Sequence, residues 1–287
     1  DVFEDEWMYA MASLKKLEIA ALIVTPVLTD GWGFSHPEMI PTAHESRDLA
    51  IKSGIPEKLL PPITVGTLAE SEKAGEQIDS EGARLYIKLI NEHHKRHPKL
   101  PIIINIGGQS GTLASAFCMD PSIADKCIVY YTDVRVYNGH YEWASKVIGK
   151  HFRVVSWGDD NWWIIKKNQN EWNVLPRPAK AFARDNDENS GEWKLFTDMN
   201  VPMLDHLVHQ FRNRREYSND DERIYGDAYG DGTFIHAWLP NIFSDAELKE
   251  VRGEGTEALH ITKFTEKNEA AVKKFTMDIL LNPKVYK

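Results

Sequence analysis

Two rhythms of apolar residues alternate along the chain. From Glu6 to Lys16 there is neither Gly nor Pro, and Met8, Met11, Ala12 and Leu14 recur at helical spacing, which predicts a helix with one face on a core. Leu17 to Val24 is a nearly continuous apolar run closed by Thr25-Pro26. That is the pattern of a strand buried on both faces, as in parallel sheets. Ala43 to Gly54 predicts a second helix and Pro62 to Gly66 a second strand. Ser80 to His97 predicts a long amphipathic helix whose end is marked by His93, His94, Lys95 and Arg96 ahead of Pro98. Leu100 to Gly108 then predicts a buried strand running into a tight turn, with a helix of small residues from Ser110.

The same strand, turn and helix order returns with a strand at Cys127 to Tyr131, a helix at Tyr141 to Gly149 and a strand at Phe152 to Ser156. Alternation of this kind predicts an α/β fold with a mostly parallel central sheet flanked by helices. The expectation is one domain over residues 1–287, with a small inserted cap or hairpin at 159–192, a polar stretch carrying Trp162, Trp163 and Trp172. Helices are expected again at Val201 to Arg215 and Glu266 to Leu281, separated by a Gly- and Asp-rich loop at Tyr225 to Gly232.

Composition removes several classes of function. A net charge of -9 offers no basic field, so nucleic acid is not expected as a partner. No run approaches the roughly 18 apolar residues of a membrane span, so a soluble protein is expected, its compartment open. Cys118 and Cys127, the two cysteines, stand outside any metal-ligand spacing and are read as buried thiols. The chain opens on Asp1 with no initiator Met, and residues upstream are expected to have been lost or processed.

Ligands of open α/β sheets bind at the carboxyl ends of strands, so the residues just after each apolar run are the first candidates for chemistry. Asp1-x-x-x-Asp5-Glu6 places three carboxylates at the start of a helix, where the dipole tolerates negative charge; the plainer reading is a helix cap. With Ala10, Leu14, Glu18-Ile19, Leu22, Thr25 and Val27, this opening resembles that of nucleoside hydrolases, where an Asp-x-x-x-Asp-Asp motif leads a helix and then a strand. Ile106-Gly107-Gly108-Gln109-Ser110-Gly111-Thr112-Leu113-Ala114 is similar to the family's Thr-Gly-Pro-Leu-Thr-Asn-Ile-Ala turn. Tyr137-Asn138 with Glu142 and Ala144 is similar to its Phe-Asn pair and following helix start, and Gly230-Asp231-Gly232-Thr233-Phe234 to the segment of its late metal-binding Asp. The four segments keep the family's order.

The resemblance implies a calcium-dependent N-glycosidase. Asp1 would be a calcium ligand and the base that takes a proton from water; Glu6 and Asp231 would be further carboxylate ligands, and the Gly107 carbonyl a neutral one. Asp5, Asp30 and Asn138 would hold ribose hydroxyls. Trp32 stands in the loop after Asp30 and is read as a stacking residue. Glu6 replaces the usual second Asp of the motif, Val136 a Glu, and Gly230 a His that some members use as leaving-group acid; His236 and His140 are placed to supply that proton, although a lone histidine, like His36 and His44, reads more plainly as structural. The expected partner is a nucleoside or sugar, with dimers or tetramers common among such enzymes. The alternative is a protein of the same fold that binds such a ligand without cleaving it.

Overall fold

The computed structural model describes residues 2–25, 36–66, 78–107, 110–131, 142–156, 191–213, 235, 237–239, 246–250, 257–261 and 266–287. The fold is α/β. In chain order come α1 (Val2–Ser13), β1 (Leu22–Val24), α2 (His36–Lys52), β2 (Ile63–Val65), α3 (Glu81–Arg96), β3 (Ile102–Ile106), α4 (Gly111–Met119) and β4 (Cys127–Tyr131). Then follow α5 (Glu142–His151), β5 (Val154–Ser156), α6 (Gly191–Thr197), α7 (Pro202–Asn213), β6 (Ala246–Glu250), β7 (Glu257–Ile261) and α8 (Glu266–Leu280). β1 and β2 form a parallel pair, and the remaining strands a sheet of order β3-β4-β5-β7-β6 that is parallel except at its β6 edge. No helix among the described residues is long and apolar enough to cross a membrane.

Alternate residues of β4 and β5 enter two cores. Cys127, Val129, Tyr131 and Val154 pack with Ile90, Leu113 and Ile148 of α3, α4 and α5. Tyr130 and Val155 belong to the other face, with Trp7, Ala50, Leu204, Leu207 and Val272 of α1, α2, α7 and α8. This two-sided burial is why β4 reads as an unbroken apolar run. Ile103 of β3, in contrast, is 41% exposed.

Local chemistry sets several ends. The Ser80 hydroxyl caps α3 by accepting from the Ala83 N–H at 3.1 Å. α1 and α2 close with paired backbone bonds in which Lys16 N–H donates to Met11 O and Ile55 N–H to Ala50 O. The turn residues Lys15 (φ 56) and Gly54 (φ 98) are left-handed. The C-terminal residues seal this end: Ser13 Oγ donates to Val285 O at 2.7 Å, and a Cβ on Gly54 would lie 2.9 Å from the Tyr286 backbone.

The structure revises the expectations at β1, α2, β6 and β7, α6 and Cys118. β1 holds only Leu22–Val24, because its described partner β2 offers three residues, Ile63 to Val65; Leu17 and Ile19 pack on the helical core outside any strand. α2 starts at His36 and runs through Pro41, which is exposed, so water can satisfy the carbonyl that proline's missing N–H leaves without a partner. β6 and β7 form a hairpin in a charged stretch where no strand was expected, and α6 was likewise unforeseen. Cys127 is buried as expected, with its thiol pushed up to about 12 by burial, but Cys118 is exposed. Of the expected insertion at 159–192, only Gly191 and Glu192, the first residues of α6, are described.

Candidate functional site

The carboxyl ends of the parallel strands meet at one rim. Thr25, directly after β1, shares a 2.9 Å hydroxyl contact with Thr112 in the first turn of α4. Gly66, directly after β2, donates its N–H to Val24 O at 2.8 Å. A Cβ there would fall 2.4 Å from Thr112 Oγ1 and 2.9 Å from Thr25 Oγ1, and one on Gly82 would fall 2.9 Å from Gly66 Cα. Only glycine permits this approach of β2 to the starts of α3 and α4.

Further along the rim, the Tyr131 hydroxyl ending β4 donates to Ser110 Oγ at 3.2 Å and lies 3.2 Å from Ser145 Oγ of α5, all three buried. Ser156 Oγ, in register with Tyr131, is buried with no hydrogen-bond partner among the described residues.

A second polar cluster lies between helices α1, α2 and α7. Glu6 is 0% exposed. Its Oε1 accepts from His206 Nδ1 at 2.6 Å and from Ser46 Oγ at 3.3 Å, while Oε2 is buried with no hydrogen-bond partner among the described residues. His206 Nε2 lies 3.9 Å from Oε2 of the exposed Glu45.

Burial pushes the Glu6 carboxyl up to about 7; the bond and charge of His206 and the bond from Ser46 hold it back, and Asp5 adds to the rise. Burial pulls the His206 imidazole down, but its bond with Glu6 and the charges of Glu6 and Glu45 outweigh that and raise it. Tyr9, one turn after Glu6, is held protonated by burial and by the charges of Asp5 and Glu6.

Of the residues expected to carry chemistry, Asp5, Glu6 and Gly107 are described. Asp5 is half-buried on α1, Glu6 is lodged among three helices, and Gly107 directly follows β3. Asp1, Asp30, Trp32, Asn138, Asp231 and His236 lie outside the described residues, as does His140. Among the described residues no three His, Cys, Asp or Glu side chains are grouped to hold a metal ion. Glu6 and Gly107 lie on separate elements, the first on α1 and the second after β3.

Sequence reasoning missed Ser46 and His206. Their signal was a polar side chain set into an apolar helix face: Ser46 between Ala43 and Ala50, and His206 beside Met203 and Leu207. No model of a protein family matches the chain, and no curated protein matches it.

Proposed function

We propose that this chain is a nucleoside-hydrolase-like N-glycosidase that uses calcium to cleave the bond between a ribosyl group and its base. The observation that carries the reading is the gathering of strand ends at one rim through Thr25, Gly66 and Thr112, where α/β enzymes bind their ligands.

In this reading Asp1, Glu6 and Asp231 would hold calcium by carboxylate oxygens and Gly107 by its carbonyl, and the ion would supply Lewis acidity toward water. Asp1 takes the proton of the attacking water, while Asp5, Asp30 and Asn138 orient the ribose hydroxyls, turning binding into orientation. The carboxylates lower the energy of positive charge developing on the sugar. Trp32 stacks on the ligand, and His236 or His140 protonates the departing base.

A second reading, a protein that binds a nucleoside or sugar without cleaving it, is favoured by the commitment of Glu6 Oε1 to His206 and by Gly230 at the acid position. Calcium calorimetry combined with a reducing-sugar assay across nucleosides separates the two. The enzyme reading expects calcium-dependent sugar release that drops about 10²–10⁴-fold in Asp1→Asn. Calcium binding with no release from any nucleoside favours the binder; no calcium binding and no release removes the enzyme.

A further inference from the structure

Three helices of one core, α1, α2 and α8, end against residues 282–286. After α8 closes at Leu280 the chain reverses: Val285 N–H donates to Asn282 O at 2.9 Å and Lys284 N–H to Asn282 Oδ1 at 3.0 Å. Asn282 and Pro283 suit that turn, the first by bonding the backbone two residues on and the second by its fixed φ. The reversal carries Val285, which is fully buried, into the core that also holds Trp7, Ala50, Leu204 and Val272. Its carbonyl accepts from Ser13 Oγ at the end of α1 at 2.7 Å. The Tyr286 hydroxyl donates back to Leu280 O at 2.6 Å, and the Tyr286 backbone lies so close to Gly54, just past α2, that a Cβ there would stand 2.9 Å from it. Ser53, beside Gly54, accepts from Met203 N–H in the first turn of α7 at 2.9 Å. The other core, with Ile90, Leu113, Val129 and Ile148, does not include Val285.

We infer that residues 282–287 act as a strap that fastens the ends of α1 and α2 to α8, and that releasing it opens the α1–α2 side of the sheet while the α3–α4–α5 side stays closed. Folds part along such lines, one cooperative unit opening while another holds. The strap is suited to release because one buried side chain and a few hydrogen bonds hold it, with no helix or strand of its own. α1 also carries Asp5 and Glu6, so the strap holds the helix on which two of the expected site residues stand, whatever ligand that site takes.

The test is hydrogen exchange read by mass spectrometry on the full chain, at a temperature where circular dichroism shows each variant folded. Val285→Asp puts a carboxylate where the valine is buried and detaches the strap. Amides of α1 and α2 are expected to exchange about 10–100-fold faster in it, while those of α4 and α5 change by less than about twofold. Ser13→Ala removes a single tie and is expected to speed exchange in α1 about 2–10-fold, again without effect on α4 and α5. If Val285→Asp does not fold, Val285→Ala and Ser13→Ala decide by the same criteria. Equal acceleration on both sides of the sheet overturns the separate opening, and wild-type rates in α1 and α2 overturn the strap itself.

Discussion

The two faces of the larger sheet are built on different principles. On the α3–α4–α5 face the buried polar groups of the Tyr131 cluster are neutral hydroxyls that bond one another, with Ser110 and Ser145 flanking Tyr131. The α1–α2–α7 face holds an ionisable pair, Glu6 and His206, at the same depth. Neutral hydroxyls exchange bonds to water for bonds to one another at small net change. A buried carboxylate depends on its partner, and losing that partner is costly. One face is therefore tolerant and the other brittle, and the brittle face is the one that carries an expected site residue.

The largest effect should separate the faces directly. His206→Leu strands the Glu6 carboxyl and is expected to lower unfolding free energy by about 3–5 kcal/mol in urea titrations, whereas Glu6→Leu with His206→Leu should regain most of the loss. Tyr131→Phe on the opposite face should cost only about 1 kcal/mol. A double variant as unstable as the single one would show that ionic dependence is not what makes this face brittle.

Next in size is the rim, where Gly66→Ala drives a methyl into Thr112 and Thr25 and should cost about 1–3 kcal/mol. Thr112→Ala in the same chain removes the nearest obstructing atom and should return part of it; no recovery would mean the backbone, not Thr112, sets the limit.

The smallest effect is the pH dependence of the calcium-free protein. Glu6 holds a proton up to about pH 7 when folded, but only to its ordinary value of 4.5 when unfolded, so its contribution falls as pH rises between them. His206 is raised by this same contact, so the protons of the pair are not counted separately: folded, the pair binds more protons than unfolded on the way up to about pH 7, and its contribution falls as pH rises. Stability should therefore be greater at about pH 5.5 than at about pH 8, by roughly 1–2 kcal/mol. The variant with leucine at positions 6 and 206 should show a flatter slope, and an unchanged one would assign the dependence to other groups.

Local pattern made much of the scaffold legible. β4 lies where its apolar run does, from Cys127 to Tyr131, because both its faces are buried. α3 begins one residue after the Ser80 that caps it. Elements that depend on a partner were harder to see. β6 and β7, Ala-Glu-Leu-Lys-Glu and Glu-Ala-Leu-His-Ile, lack a strong apolar rhythm and owe their strand state to mutual pairing and to β5.

The candidate site was less legible for the same reason. Asp5, Glu6 and Gly107 could be marked from motifs, but nothing near Glu6 in the chain announces that Ser46 and His206 will meet its Oε1. That meeting is a product of three helices packing.

The seal formed by Val285 and Tyr286 carries a consequence for biosynthesis. Ser13 and Val285 are joined across 272 positions of chain, so the ends of α1 and α2 stay open during synthesis until residues 285–286 have been made. Until then the surface that buries Val285 is exposed, and this half of the molecule is finished only when its most distant segment has arrived.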